Sequence, residues 1–410
     1  MKNWLLISTM LMCQAANAGT IVVGGEKGLP SIKQGLALTK PGDTLLIKKG
    51  SWYVNNAIVD KKIVVQGEGW PVLHGADKYV ILTVTGKGAV IRGLHFTNSG
   101  YSSMEERPAL RIIDASEVVV EGNRFTHTYF GIHAANSHHF TIRNNTFQGV
   151  TRTEQTTGNG IHLWKCSHAL IDGNTAAGHR DGIYFEFVTQ SIVQNNRSHH
   201  NIRYGLHFMF SDNDSYTANA FHDNGAGVAV MFSKKVIMER NRFNNNWGPA
   251  AYGLLLKEIS DSRILHNAFE QNTVGIYMEG ANRIEVGYTS FRANGWAARV
   301  QASCAGNNFH HNNFHTNTFD IATNGTLVLN TFNGNYWDKY EGYDLNRDGV
   351  GDVPFHPVSL YSMLVERDPN SLLLLRSFMV GLLDKAEKAI PSLTPENLVD
   401  TLPFMKPIAL

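Results

Sequence analysis

Two segments decide the fold: GIYFEFVTQSIVQNN at residues 182–196 and GLHFMFSDNDSYTAN at residues 205–219. Each opens on glycine, continues in an alternating apolar run, and reaches an asparagine 14 residues after the glycine. The same step starts at five further positions, which are Ala109, Gly131, Gly160, Gly227 and Gly253. The next glycine usually follows 8 residues after the asparagine, so the period is 22 residues. This period is too short for paired-helix repeats and is typical of one coil of a parallel β-helix.

The repeat therefore predicts an all-β protein, a right-handed parallel β-helix with coils of about 22 residues. We expect this domain over residues 19–357 and a short α-helical C-terminal module over residues 358–410. The repeated asparagines should form an internal ladder, each side-chain amide bonding to the next coil. A short helix from Ile32 to Leu38 should cover the N-terminal end, which would otherwise be an open sheet edge.

Insertions into the repeat should all lie at one edge of the solenoid, because the 14-residue step never changes. They occur at residues 98–108, 148–158 and 245–252. Insertions confined to one edge commonly mark a binding face.

Composition and the N-terminus indicate an exported protein. The 410 residues carry a formal net charge of +1, which gives no sign of a nucleic-acid partner held by bulk charge. Residues 1–18 have the features of a signal peptide: Lys2, an apolar run at residues 4–12, and the small-residue cleavage site Ala16-Asn17-Ala18. Cys166 and Cys304 lie about six coils apart, roughly 29 Å at ~4.8 Å per coil, so they should not pair within one chain.

The outward side chains of the coils have an unusual composition. Positions one and three after the glycine should point inward and positions two and four outward. In consecutive coils the outward positions include histidine, tyrosine, tryptophan and two neighbouring methionines, where a solvated face would carry Thr, Lys, Ser and Glu. Thioether and imidazole together suit Cu(I). The candidate copper ligands are therefore His207, Met209 and Met231.

The rest of this face fits more than one function. The candidate partner or substrate residues are His133, His162, Trp164, Tyr184 and Glu186. With Arg111 they could supply the base and the cation that a polysaccharide lyase or uronate epimerase needs, although no paired acids and no His–Asp couple are apparent. Exposed methionine also suits a protein–protein contact. From these residues alone, the enzyme, the copper-handling protein and the binding surface all stay open.

An acidic loop resembles the front half of a calcium-binding loop. The segment DLNRDGVGD places Asp344, Asn346, Asp348 and Asp352 at loop positions 1, 3, 5 and 9. Phe355 stands at position 12, where an EF-hand has a bidentate glutamate, so a complete EF-hand is excluded. A weaker calcium site and a metal-free Asx-turn are both compatible with the segment.

The C-terminal segment changes to helical periodicity. Asp368 and Pro369 form a helix start, and a second start is indicated at Thr394. The following apolar stretch is too short to span a bilayer, which needs ~20 apolar residues, and it contains Arg376. It could cap the last coil, but its apolar residues cover more than one face. We therefore expect it to dock on an apolar partner surface through Leu372, Leu373, Leu374, Leu375, Phe378, Leu382 and Leu383.

Two segments carry a family resemblance: GNYWDKYEGYDLNRDGVGDVPF at residues 334–355 and LYSMLVERDPN at residues 360–370. With the repeats, they make the chain resemble the NosD family of periplasmic maturation factors of nitrous oxide reductase. The resemblance implies a non-enzymatic protein at the periplasmic side of the inner membrane, associated with an ABC-type permease and ATPase pair. It also implies that copper, as transient Cu(I), passes from a lipoprotein copper chaperone to the copper-sulfide centre of the reductase. No family motif maps copper ligands onto this sequence.

Overall fold

The computed structural model describes residues 18–102, 104–325, 329–390 and 398–410, with the side chain of Lys388 left out. Apart from Ala18, the predicted signal peptide lies outside the described residues, as does the predicted helix start at Thr394. The described chain forms a parallel β-solenoid in which each coil contributes one strand to each of three long sheets. The predicted β-helix is therefore confirmed.

The first sheet has 14 strands in the described residues. They are Thr20–Val23, Thr44–Lys48, Val64–Glu68, Val90–Arg92, Val119–Glu121, Thr141–Arg143, Leu170–Asp172, Ile192–Gln194, Ser215–Thr217, Ile237–Glu239, Arg263–Leu265, Glu285–Gly287, Asn308–His310 and Thr331–Asn333.

The second sheet has 13 described strands. They are Ser51–Tyr53, Val72–His74, His95–Thr97, Arg124–Thr126, Thr146–Gln148, Thr175–Ala177, Arg197–His199, Ala220–His222, Arg242–Asn244, Ala268–Glu270, Ser290–Arg292, Asn313–His315 and Tyr336–Trp337.

The third sheet has 12 described strands and carries the glycine-led segments of the repeat. They are Ala57–Val59, Leu82–Val84, Pro108–Ile113, Phe130–Ala135, Ile161–Trp164, Asp181–Glu186, Tyr204–Met209, Ala226–Met231, Tyr252–Lys257, Val274–Glu279, Trp296–Val300 and Phe319–Ala322.

The solenoid interior is held by stacked apolar side chains and by asparagine ladders. Buried phenylalanine rings stack from coil to coil, for example Phe243 on Phe269 with centroids 4.4 Å apart. In the predicted ladder, the Asn174 side-chain amide donates to Asn196 Oδ1 at 3.0 Å, and neighbouring rungs repeat the contact. Cys166 and Cys304 are buried and free, as their spacing predicts.

A second asparagine ladder runs parallel to the first, five residues further along each coil. It extends from Asn201 to Asn317, and the Asn201 amide donates to Asn224 Oδ1 at 2.9 Å. Sequence analysis missed it because its register begins only in the later coils.

The N-terminal helix α1 lies at Ile32–Leu38, as predicted. Gly35 allows it to sit directly on the first coil, since a Cβ there would lie 2.6 Å from Leu45 Cδ1 and 2.7 Å from Val23 Cγ2.

The C-terminal segment leaves the solenoid and then returns to it. Helix α2 at Leu360–Arg367, a 3-10 helix at Pro369–Leu374 and helix α3 at Phe378–Ala389 together form what we call the helical arm. The side chain of Asp368 accepts a hydrogen bond from Asn370 N, as a helix-starting residue should. No helix among the described residues is both long enough and apolar enough to cross a membrane.

The residues after the arm cap the last coil, so the C-terminal part of the predicted module at residues 358–410 contacts the solenoid, and the boundary of that module stays a prediction. Asp400 is fully buried and ends the first asparagine ladder. Its carboxylate accepts hydrogen bonds from the backbone of Gly334 and Asn335 and from the side chains of Asn335 and Trp337. The ladder needs an acceptor at its end, because the last rung has no further coil to bond to.

Candidate functional site

The three insertions all connect the second sheet to the third, at residues 98–107, 149–160 and 245–251. They therefore lie at one edge of the solenoid, as the constant 14-residue step predicts. Two of them reach over the outer face of the third sheet. Glu106 Oε2 lies 3.8 Å from His133 Nε2, and Glu154 Oε1 lies 3.6 Å from Arg203.

Four aromatic side chains form an outer column on the third sheet, one from each of four successive coils: His133, His162, Tyr184 and His207. Successive ring centroids are 4.8, 4.7 and 4.7 Å apart. The column follows from the parallel register, which places equivalent positions of adjacent coils next to one another. It brings together residues that the sequence separates by more than 70 positions.

The outer column is buried, which corrects the expectation that this face is open to solvent. His207 is only 4% exposed, and the other three members are also buried. They lie outside the apolar interior, but the insertions and the bulky first residues of two of the strands cover them. Phe130 packs against His133 and His162, and Tyr204 packs against His207 with centroids 4.8 Å apart.

A fully buried carboxylate lies beneath His207. Asp181 accepts two hydrogen bonds from Arg203, at 3.0 and 2.6 Å, and its Oδ2 lies 3.7 Å from His207 Nδ1. Burial opposes ionisation of Asp181, but the His207 and Arg203 side chains more than offset it and hold its pKa at about 2. The structure thus contains the His–Asp pair that the sequence did not reveal.

Two histidines of the outer column are held in the neutral form, and the column has few hydrogen-bond partners. Burial, with the nearby Arg111, lowers the pKa of His133 to about 4, and burial, with His133, lowers the pKa of His162 well below its usual value. Among the described residues, both ring nitrogens of His162 and both of His207 lack a hydrogen-bond partner. Glu106, His133 and His162 each place one potential metal-ligand atom within 4.8 Å of the other two.

The two candidate methionines are neighbours beside the outer column. Met209 and Met231 are in register on adjacent strands and are both half-buried. The Tyr184 hydroxyl donates to Met209 Sδ at 3.6 Å, which links the thioether to the column. Burial, followed by the charges of Glu186 and Asp181, raises the pKa of Tyr184, so the hydroxyl keeps its proton. The structure therefore brings together His207, Met209 and Met231, as the alternation predicts.

The other predicted face residues border this group. Glu186 is half-buried, and its carboxylate lies 4.0 Å from His162 Nε2. Trp164 is half-buried beneath the ammonium group of Lys165. Sequence analysis missed Glu106, Asp181 and Arg203. The clue for Asp181 was its position directly before the repeat glycine, where no other coil of the repeat carries a charged residue.

A ridge of exposed aromatic rings lies at the end of three successive strands, directly after Glu186, Met209 and Met231. Phe187, Phe210 and Phe232 stack with centroids 5.1 Å apart, and each is at least 40% exposed. All three have positive φ angles between 51° and 54°, a conformation that bulky residues rarely adopt. The solenoid thus displays an apolar surface immediately beside Met209 and Met231.

The acidic loop forms an Asx-turn network. Asp344 accepts from the backbone of Asp348 and Gly349, Asn346 also accepts from Asp348 N, and Asp352 accepts from Leu345 N. These contacts match the metal-free alternative that the sequence left open. Calcium binding by Asp344, Asn346, Asp348 and Asp352 stays a prediction.

The predicted docking residues divide between two sides of the helical arm. Leu372 and Leu383 pack with Tyr361, Val365 and Val380 against the end of the third sheet. Leu373 and Phe378 are 89% and 85% exposed, and Leu374, Leu375 and Leu382 are exposed as well. One side of the arm is thus used for intramolecular packing and the other presents apolar side chains.

Comparison with known proteins agrees with this architecture. The family described as periplasmic copper-binding protein (NosD) matches residues 148–342, and the right-handed β-helix region matches residues 79–215. A Pseudomonas aeruginosa protein named as a probable ABC transporter binding protein NosD is 28% identical, over 91% of this chain and 90% of its own length. A Stutzerimonas stutzeri protein of the same name is 24% identical, over 93% and 92% of the two chains. The chain is thus similar to the NosD family over residues 148–342 and to both relatives over about nine tenths of its length.

Solved structures share the fold of this chain at low sequence identity. A GH87 α-1,3-glucanase catalytic domain has a TM-score of 0.66 at 13% identity, over 78% of this chain and 69% of its own. The periplasmic alginate epimerase AlgG has a TM-score of 0.55 at 14% identity, over 74% and 80%. Similarity at this level supports the β-helix fold and gives no information about activity.

Proposed function

We propose that this chain is a non-enzymatic periplasmic protein that works with an ABC-type transporter to deliver copper for assembly of the catalytic copper-sulfide centre of nitrous oxide reductase. The family description as a periplasmic copper-binding protein and the relatives' names as transporter binding proteins support this role. The observation that carries it is the juxtaposition of Met209 and Met231 with a buried column of imidazoles whose nitrogens lack hydrogen-bond partners.

The donor set suits Cu(I) as cargo. Thioether sulfur and neutral imidazole are soft or borderline ligands, whereas hard cations prefer carboxylate and carbonyl oxygen. Met209 and Met231 are the accessible members, so they receive the ion first. His207 and His162 lie behind them with ring nitrogens free of hydrogen bonds. A histidine that stays neutral at periplasmic pH accepts a cation without first releasing a proton.

The copper donor is a protein that covers the aromatic ridge. Exposed Phe210 and Phe232 directly follow the two methionines, and an apolar ridge of this kind favours a protein contact over uptake of a hydrated ion. The partners are a lipoprotein copper chaperone as donor and nitrous oxide reductase as acceptor.

The helical arm docks on the permease of an ABC-type permease and ATPase pair. Leu373 and Phe378 project from the arm while its other side packs on the solenoid, so the arm holds an apolar surface away from the β-helix. The protein is thereby peripheral to the inner membrane through its partner.

Replacing both methionines by alanine tests the copper role. We expect Met209→Ala with Met231→Ala to lower anaerobic Cu(I) binding, measured by competition with bathocuproine, and to lower the copper content of the reductase in cells. Met405→Ala, a half-buried methionine of the C-terminal cap, is the matched control. Native Cu(I) affinity and a fully loaded reductase in the double variant would exclude the proposal.

Charged substitutions test the docking role. Leu373→Asp with Phe378→Asp changes only exposed side chains, so the fold should persist while co-purification with the permease and ATPase is lost. Leu345→Asp in the acidic loop, at 78% exposure, is the control. Unchanged co-purification of the double variant would place the docking surface elsewhere. Deletion of residues 368–410 is a poorer test, because it also removes Asp400 from the end of the ladder.

A further inference from the structure

A group of three histidines and one aspartate lies across the corner from the outer column, where strands of the second sheet end. His199 and His222 are in register on adjacent strands, and their rings stack with centroids 4.8 Å apart. His200 and Asp223 follow them in the chain, both with positive φ angles. We call these four residues the histidine patch.

The ligand atoms of the patch are close together. His199 Nδ1 lies 2.8 Å from His200 Nδ1, and His222 Nδ1 lies 2.7 Å from Asp223 Oδ2. One atom each from His200, His222 and Asp223 can be chosen so that all three lie within 4.8 Å of one another. Of the described residues, only this group and the Glu106 group bring three potential metal ligands together in this way.

Protons fit poorly into this arrangement. Two imidazole nitrogens that face each other at 2.8 Å can share only one proton. At least one of the two nitrogens therefore keeps a free lone pair, which is the form that binds a metal.

We propose that the histidine patch is a second metal site, for a divalent transition ion held by His200, His222 and Asp223 with His199 beside them. Imidazole nitrogen with carboxylate oxygen, and no thioether or thiolate, suits Cu(II) and Zn(II) rather than Cu(I). Cu(II) binds most tightly because it heads the affinity order of the divalent ions. The site is independent of the proposed Cu(I) route, since it uses none of the same residues.

Arg197 opposes occupancy of the site. Its Nε donates to His222 Nε2 at 2.9 Å, so the neutral His222 ring carries its proton on Nδ1, facing Asp223. A metal at His222 Nδ1 displaces that proton, and the ring then needs its proton on Nε2, where Arg197 can no longer donate. Metal binding therefore shifts the proton of the neutral ring from Nδ1 to Nε2, with no net release, and breaks the Arg197 hydrogen bond. Removal of Arg197 should tighten binding.

The test is titration of the untagged full-length mature protein with Cu(II) and with Zn(II) by calorimetry, with electron paramagnetic resonance of the Cu(II) form. We expect one site that shows nitrogen coupling and prefers Cu(II). His200→Gln with Asp223→Asn should weaken Cu(II) binding at least tenfold, and Arg197→Leu should strengthen it severalfold.

Two controls make the result specific. His139→Gln with His168→Gln alters another stacked histidine pair, with centroids 4.3 Å apart, and should leave the affinity unchanged. Met209→Ala with Met231→Ala should lower Cu(I) binding and leave Cu(II) at the patch intact, so failure of one proposal is distinguishable from failure of the other. No Cu(II) site in the native protein, or equal affinity in the His200→Gln, Asp223→Asn variant, would overturn the inference.

Discussion

The buried Asp181–Arg203 pair beside His207 provides a quantitative test of how the site is held. Asp181→Asn keeps the size of the side chain and removes its charge. Asp181 is fully buried and accepts two hydrogen bonds from Arg203 and one from the backbone of Tyr204, at 3.3 Å. The variant leaves the half-buried Arg203 guanidinium without its counter-ion, which is the costly way to break a buried pair.

Two independent estimates give the same loss of folding free energy for Asp181→Asn. The pKa of Asp181 falls from an ordinary 3.8 to about 2 in the folded protein, a difference worth about 2 kcal/mol of folding free energy at neutral pH. Loss of a hydrogen bond to a charged group independently costs ~1.5–3 kcal/mol. Because the folded pKa is depressed, this stability is present above pH 3.8 and is lost as the pH falls towards 2.

The assay is urea unfolding of the native and variant proteins at pH 7 and at steps down to pH 2.5. We expect Asp181→Asn to lose about 2 kcal/mol at pH 7 and to approach the native protein at the acid end. Asp172→Asn, whose carboxylate accepts only from the exposed Asn195 side chain, should change stability by less than ~0.5 kcal/mol. Equal stability of Asp181→Asn and the native protein at pH 7 would refute this account of the pair.

Three further predictions concern the outer column, the interior and the cap. His162→Leu should keep or raise stability at pH 7, because it removes two buried nitrogens that lack hydrogen-bond partners. The same variant should lower copper loading of the reductase. A large loss of stability on thermal unfolding would contradict this prediction. Burial raises the pKa of Asp214 to about 8, so the folded protein favours the protonated carboxyl. The contribution of Asp214 to the free energy of unfolding is therefore greatest below pH 3.8 and is lost as the pH rises towards 8. Asp214→Asn should therefore gain on the order of a few kcal/mol at pH 8 in urea unfolding and little at pH 4. Asp400→Ala should cost ~3–5 kcal/mol by leaving four donors unmatched, whereas the exposed Thr401→Ala should be nearly neutral.

The fold was predictable because its determinants repeat. The glycine-to-asparagine step fixed the coil, the first ladder and the edge that carries the insertions, and each was found where expected. The alternation also placed His207, Met209 and Met231 on one side of a strand. These features depend on local periodicity, which a single sequence records directly.

Burial of the outer column was not predictable in the same way. It depends on Glu106 from one insertion and on Phe130 and Tyr204 from the positions before the glycine, and no period relates these residues. The Asp181–Arg203 pair spans 22 residues but occurs in only one coil, so it leaves no repeated signal. The return of Asp400 to the ladder was hidden for the same reason, because a cap is formed once.

The chemistry of the outer column is not a requirement of the fold, because the same register position carries Ala229 and Leu255 in the next two coils. A β-helix that can hold alanine or leucine there gains nothing in stability from buried imidazoles whose nitrogens lack partners, and each such group costs ~1–3 kcal/mol. The coils with His133, His162, Tyr184 and His207 are also the ones that the insertions at residues 98–107 and 149–160 cover. These polar groups are retained at a cost to stability, and the insertions and two thioethers surround them. Such an arrangement is consistent with a site that binds a cation and releases it again.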